Sequence, residues 1–142
     1  KGETEALCPY IANDAVADTV GSHVYRTAVI TTTTPRGCRF YFYAAPFQAI
    51  ADLVPTTLAT PADAYNAMVA TGKAGKFTLG VKNLVTGVDA VLFKTTFYGA
   101  DGPDGDWACA FAKGRVLVVV HTYVTNTSFN ARSLAAQVAP TF

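Results

Sequence analysis

The sequence predicts an α+β domain, a mainly antiparallel sheet flanked by about three helices. Three observations carry that prediction. Runs of β-branched and aromatic residues of strand length recur along the chain, and most are joined by short turns, which favours antiparallel pairing. Three other segments place apolar residues at helical spacing next to residues that start or stop helices. Finally, 51% of the 142 residues are hydrophobic and only 15% are charged. A chain of that length and composition fills one core and buries about two thirds of the surface its unfolded form exposes.

The elements follow in order. Residues 1–7 are polar and predict a disordered N-terminal tail, leaving 8–142 as a single globular domain. A short helix is expected over 13–20, with Asn13 as N-cap, Asp14 in the first turn and Gly21 as the left-handed stop. Val24 to Thr34 reads as a strand ended by Pro35-Arg36-Gly37. Cys38 to Ala44 reads as its partner. Alternation puts Cys38, Phe40 and Phe42 on one face and Arg39, Tyr41 and Tyr43 on the other. A shorter strand, Ala49 to Val54, is expected to stop at Pro55.

The clearest helix begins at Thr60, with Pro61 at its first position and Asp63 three residues after the cap. Its apolar stripe is Ala64, Tyr65, Met68 and Val69, and Gly72 is expected to end it. Residues 73–87 read as a loop holding at most a strand. Asp89 to Tyr98 is a strand with Val91, Phe93 and Phe97 on one face. Trp107 to Ala112 and Val116 to Val124 form a hairpin across Lys113-Gly114. A last helix starts at Ser128, carries Ala131, Leu134, Ala135 and Val138 on one side, and is closed by Pro140.

Composition excludes some functions. Eleven basic residues against ten acidic ones give no field to steer nucleic acid or an acidic membrane. No run approaches the ~20 apolar residues that span a bilayer. No signal-peptide pattern opens the sequence, which fits either a cytosolic chain or one cut at a mature start. The three cysteines, Cys8, Cys38 and Cys109, lack metal-type spacing. Cys8 and Cys38 lie at element ends, where a bridge bends no ladder. The spacing leaves open a Cys8–Cys38 bridge or three reduced thiols. Cys109 shares an apolar face with Trp107 and Phe111 and reads as a buried, inert thiol.

A group of short motifs adds a resemblance. Cys8-Pro9-Tyr10, Cys38-Arg39-Phe40-Tyr41, Ala112-Lys113-Gly114, Val118-Val119-Val120-His121-Thr122 and Ala131-Arg132-Ser133-Leu134-Ala135 occur in that order. The chain, over about residues 8–139, resembles an actinobacterial domain-of-unknown-function family of exported, often lipid-anchored, envelope proteins. The resemblance implies a PsbP-like α/β/α sandwich, an oxidising compartment and a Cys8–Cys38 disulfide. It further implies an extracytoplasmic location, reached after a signal and any anchor preceding Lys1 are removed. It carries no catalytic residues to transfer.

Other constellations have ordinary explanations. His23 and His121 are too few for a metal site without carboxylates at matching spacing, so no metal and no cofactor are expected. Haem ligation through His121 or Tyr123 would suit a carrier. Asp101, Asp104 and Asp106 sit in a Gly-rich turn that does not match a calcium loop. A Cys109–His121 nucleophile pair needs the two side by side on neighbouring strands, which pairing across Lys113-Gly114 allows, but the expected burial of Cys109 argues against activation. Asn126-Thr127-Ser128 reads as a loop and helix cap. No catalytic constellation stands out, so an enzyme is not expected. Arg39, Tyr41 and Tyr43 draw attention because Tyr and Arg are common at recognition surfaces. That face is either a binding surface or lies under a helix. The leading expectation is a non-catalytic module that binds an envelope protein. A carrier of a small lipid or haem-like ligand is the alternative.

Overall fold

The computed structural model describes residues 2–44, 47–80, 82, 84–95, 106–122 and 128–142; the side chains of residues 43, 44, 47–49, 76, 77, 128 and 129 lie outside the description. Among the described residues eight strands form one antiparallel sheet: β1 (Glu3–Glu5), β2 (Val24–Ile30), β3 (Gly37–Ala44), β4 (Phe47–Thr57), β5 (Lys76–Leu79), β6 (Ala90–Lys94), β7 (Trp107–Lys113) and β8 (Val116–Thr122). Their spatial order is β1-β2-β3-β4-β8-β7-β6-β5. Helices α1 (Asn13–Val20), α2 (Pro61–Ala74) and α3 (Ser128–Val138) complete the α+β fold, with a 3-10 turn at Ala139–Thr141.

The sheet has two unlike faces. One is mainly apolar, with Thr27, Lys94 and Thr122 buried among its hydrophobic side chains, and carries α1 and α3. Cys38, Phe40, Phe42, Leu53, Cys109, Phe111, Val118 and Val120 from the strands meet Val16, Val20, Leu134 and Val138 from the helices there. Each fully buried side chain of that size contributes about 1.5–3 kcal/mol. On the opposite face, α2 packs against β5, β6, β7 and β8. Met68 meets Val91, Phe93, Ala108, Ala110 and Leu117 in that second core.

Most expected elements are present, and the differences have causes. Residues 3–5 are not a disordered tail. They pair with β2 in the register Glu3↔Ile30, Thr4↔Val29, Glu5↔Ala28. Asn13 is the first residue of α1 and not its cap: Ala12 is the N-cap, and the Asn13 Oδ1 accepts the Thr27 hydroxyl at 2.7 Å. Gly21 ends α1 in the left-handed conformation as expected, at φ 74°. The first long strand stops at Ile30, four residues before Thr34.

Pro55 does not stop β4, which runs on to Thr57 opposite Val116. A Cβ at Gly37 would collide with the Leu53 carbonyl, so Leu53 turns its polar groups toward β3. Two residues on, the Pro55 nitrogen points the same way, beyond the last β3 pair, Cys38↔Leu53. The missing N–H costs no ladder bond there. Thr60 caps α2 by accepting the Asp63 N–H at 3.1 Å, but Gly72 does not end the helix. Gly72 lies against Val91, where a Cβ would come within 3.0 Å of the valine side chain. Its small size serves close helix–sheet contact, and α2 continues to Ala74. Tyr65, expected in the buried stripe, is 37% exposed. Phe97, Asp101, Asp104, Tyr123, Asn126 and Thr127 lie outside the described residues.

Cys8 and Cys38 form a disulfide that closes a separation of 30 residues. Chain entropy assigns such a loop about 3–4 kcal/mol. Its neighbour Tyr10 stacks on Phe142 at 3.9 Å between ring centroids, and the Tyr10 hydroxyl donates to the Arg36 carbonyl at 2.8 Å. Burial raises the Tyr10 pKa. Lys113 donates to the Ala139 carbonyl at 2.8 Å and Arg132 to the Leu84 carbonyl at 3.0 Å. These motif residues therefore tie distant segments together.

Candidate functional site

Among the described residues, α2 covers only half the width of its side of the sheet. Beyond β8, on β4, β3, β2 and β1, alternation brings Asp52, Arg39, Tyr41, Arg26 and Glu3 to the same face. The registers are Asp52↔His121, Arg39↔Asp52 and Arg26↔Tyr41. A polar band thus crosses five strands from β8 to β1, at right angles to the chain.

Glu3 organises one end of the band. Its Oε2 accepts from Arg26 Nη1 and its Oε1 from Arg39 Nη1, both at 2.9 Å. The Tyr41 hydroxyl lies 2.8 Å from each oxygen and donates to the carboxylate. Arg26 also stacks on the Tyr41 ring, 4.8 Å from its centroid. Burial alone would raise the Glu3 pKa, but hydrogen bonds from Tyr41, Arg26 and Arg39 outweigh it and hold the carboxyl below the usual glutamate value. Ala28 lies between Ile30 and Arg26 on this face of β2, opposite Arg39. Its methyl leaves room for Glu3 to reach diagonally from β1 to β3.

Asp52 organises the other end. Its carboxylate is only 9% exposed, and it lies 3.7 Å from Arg39 Nε and 3.1 Å from His121 Nδ1. Burial lowers the Arg39 pKa, but Asp52, Tyr41 and Glu3 reverse that and raise it overall. An Asp–His contact of this kind fixes the orientation of an imidazole. Cys109 is not its partner. Cys109 pairs with Val120 on the apolar face, whereas Ala108 lies opposite His121. The Cys109 side chain is fully buried, and desolvation pushes its thiol up to about 12, against activation.

Among the described residues, no helix packs over the Arg39/Tyr41 face. The band is half-open: Arg26 and Arg39 side chains are 36% and 33% exposed. The Tyr43 side chain lies outside the described residues. His23 is exposed just before β2, and β3 and β4 separate that strand from His121. Among the described residues no three His, Cys, Asp or Glu side chains converge as metal ligands.

Sequence reasoning picked Arg39 and Tyr41 and missed Glu3, Arg26, Asp52 and His121 as their partners. A carboxylate inside the apolar run Ala49 to Val54 and an imidazole closing Val118-Val119-Val120 were available signals. Glu3 carried none, because its role depends on pairing with residues more than twenty positions away. Two surface hollows, of about 380 and 330 Å³, lie beside the N-terminal segment; the first is lined by residues 7–13 and the second by Glu5, Leu7, Tyr25 and Arg26 among others. No known family model matches the sequence, and no curated protein matches it.

Proposed function

We propose that this is a non-catalytic protein-binding module whose recognition surface is the uncovered half of the α2-side sheet face. The single observation that carries the reading is the polar band itself. Six side chains that alternation could have left apolar are instead Glu, Arg, Arg, Tyr, Asp and His, bonded to one another, with the two arginines about a third exposed over nearly buried carboxylates. Pre-ordered Arg and Tyr side chains lose little freedom on binding and present both contact area and directional donors. A buried structural face would carry the residues seen under α2.

The disulfide fits an oxidising, extracytoplasmic compartment. The resemblance to exported envelope proteins supports the same location, the PsbP-like relationship of the fold and a partner in the envelope. No described helix is long and apolar enough to cross a membrane.

The test is photo-crosslinking in the cells that naturally produce the protein. A photoreactive residue replaces Thr56, exposed on β4 on the same face as Asp52. A control replaces Gln137, exposed on α3 at the opposite face. A discrete protein adduct from Thr56 and not from Gln137 is expected, with the partner identified by mass. Equal labelling from both positions, or none from Thr56, contradicts the reading.

A further inference from the structure

We propose that Arg26, Arg39 and Tyr41 form a carboxylate clamp which β1 fills in cis with Glu3, and which an extended acidic segment of a partner protein fills in trans by pairing with β2 in place of β1. This deepens the binding-surface reading above and rests on it.

The clamp is built for one carboxylate. Two guanidinium groups and a phenol, from two different strands, converge on both Glu3 oxygens at 2.8–2.9 Å. Charge-assisted bonds of this kind are about twice as strong as neutral ones, and Arg recognises carboxylates through its fixed donor geometry. The opening over Ala28 admits a side chain from outside the sheet edge. What holds the carboxylate there is slight by comparison. β1 is three residues long, its backbone pairs with β2 alone, and only the Glu3 side chain reaches on to β3. Its ladder is extended by one bond at each end, Thr31 N–H to the Gly2 carbonyl and Ala6 N–H to the Thr27 carbonyl. Residues 4–7 are exposed up to the Cys8 anchor.

With β1 lifted, β2 becomes an open sheet edge with an anion site one strand in. That is the geometry of strand addition, where main-chain bonds give affinity and a side-chain site gives specificity. The incoming strand would run antiparallel to β2 and place Asp or Glu opposite Ile30. Apolar contact lies alongside. Tyr25 is 45% exposed, and it lines the 330 Å³ hollow next to Arg26.

The test vacates the site in the full chain. Glu3→Ala removes the cis carboxylate. Glu3→Ala with Thr4→Pro also removes the N–H opposite Val29, weakening the tethered strand, which otherwise competes at an effective concentration in the millimolar range typical of short tethers. The probe is a blocked peptide with the sequence of residues 2–7, Gly-Glu-Thr-Glu-Ala-Leu, titrated by NMR against wild type and both variants. Retained dispersion and the intact Cys8–Cys38 bridge report folding.

Saturable binding to at least one variant, shifting Val29, Ile30 and Arg39 amides, is expected. The peptide with Gln at both Glu positions should bind at least about tenfold more weakly, and adding Arg39→Gln should cost a similar factor. No saturable binding to either variant, or equal binding of the Glu and Gln peptides, overturns the proposal. Acetate binding as tightly as the peptide would also overturn it, leaving a bare anion site. Wild-type self-association that vanishes in Glu3→Ala would replace the partner with a second copy of the chain. Peptide failure with the Thr56 crosslink intact removes the clamp alone; peptide binding without the crosslink removes the half-face reading.

Discussion

Two halves of one sheet face have been put to different uses. Under α2, the sheet presents Val91, Phe93, Ala108, Ala110 and Leu117 to Met68. On β1 to β4 the same side presents Glu3, Arg26, Arg39, Tyr41 and Asp52. Strand β8 belongs to both: Leu117 is buried under α2, and four residues on, His121 meets Asp52. The backbone is continuous across the boundary, so the change lies in the side chains and in what covers them. An apolar half gains stability by excluding water. A polar half made of bonded charges gains less, because desolvating the Glu3 and Asp52 carboxylates, 11% and 9% exposed, offsets much of what their ion pairs contribute. On the reading proposed above, the polar half serves recognition more than stability.

That contrast predicts a gradient of effects. The largest belongs to the covered half. Met68→Ala should lose about 2–5 kcal/mol by leaving a cavity between α2 and the sheet, read from the urea midpoint. A smaller loss would mean that α2 relaxes onto β6 and β7. Next comes the bridge on the opposite face: Cys8→Ala with Cys38→Ala should lose about 3–4 kcal/mol in the same assay.

Residues in the open half should cost less. Glu3→Gln should destabilise by about 1–2 kcal/mol at neutral pH, since it weakens charge-assisted bonds that are partly open to water. The pH dependence has a definite sign. The folded-state pKa of Glu3 lies below its ordinary value of 4.5. Its stabilisation is thus complete above that value and disappears as pH falls through the lower, folded pKa. The gap between wild type and Glu3→Gln in thermal melts should close as pH is lowered through that range. A constant gap would mean that the carboxylate charge is not what holds β1.

The smallest effect is a null one. Cys109 should not react with a disulfide reagent in the folded chain and should react once per chain in denaturant, because its thiol is buried and pushed up to about 12.

The two halves also differ in how legible they were. Local patterns located the covered half: the Thr60-Pro61 start of α2, Met68 in its stripe, and Val91 with Phe93 on one face of β6 all follow from short-range periodicity. The alternation Arg39/Tyr41 was equally visible. The rest of the polar band is a product of strand order. Nothing near Glu3 in the chain marks it as a partner of Arg26 and Arg39, which follow it by 23 and 36 positions. Likewise, β4 pairs with β8, and only that pairing sets Asp52 beside His121, 69 residues away. Pro55 misled for a related reason. Its effect depended on where β3 ends, which no local signal states.

The central claim is that the charges of the open half hold a partner. The most direct measurement is the yield of the Thr56 protein adduct in native cells, with and without Arg39→Gln. The account predicts at least about a tenfold fall in yield in a chain that still folds, although Arg39→Gln leaves the Glu3 and Asp52 carboxylates, 11% and 9% exposed, each short of one partner. An unchanged yield in a folded Arg39→Gln chain would contradict it, because the partner would then be held without the band that distinguishes this half of the sheet.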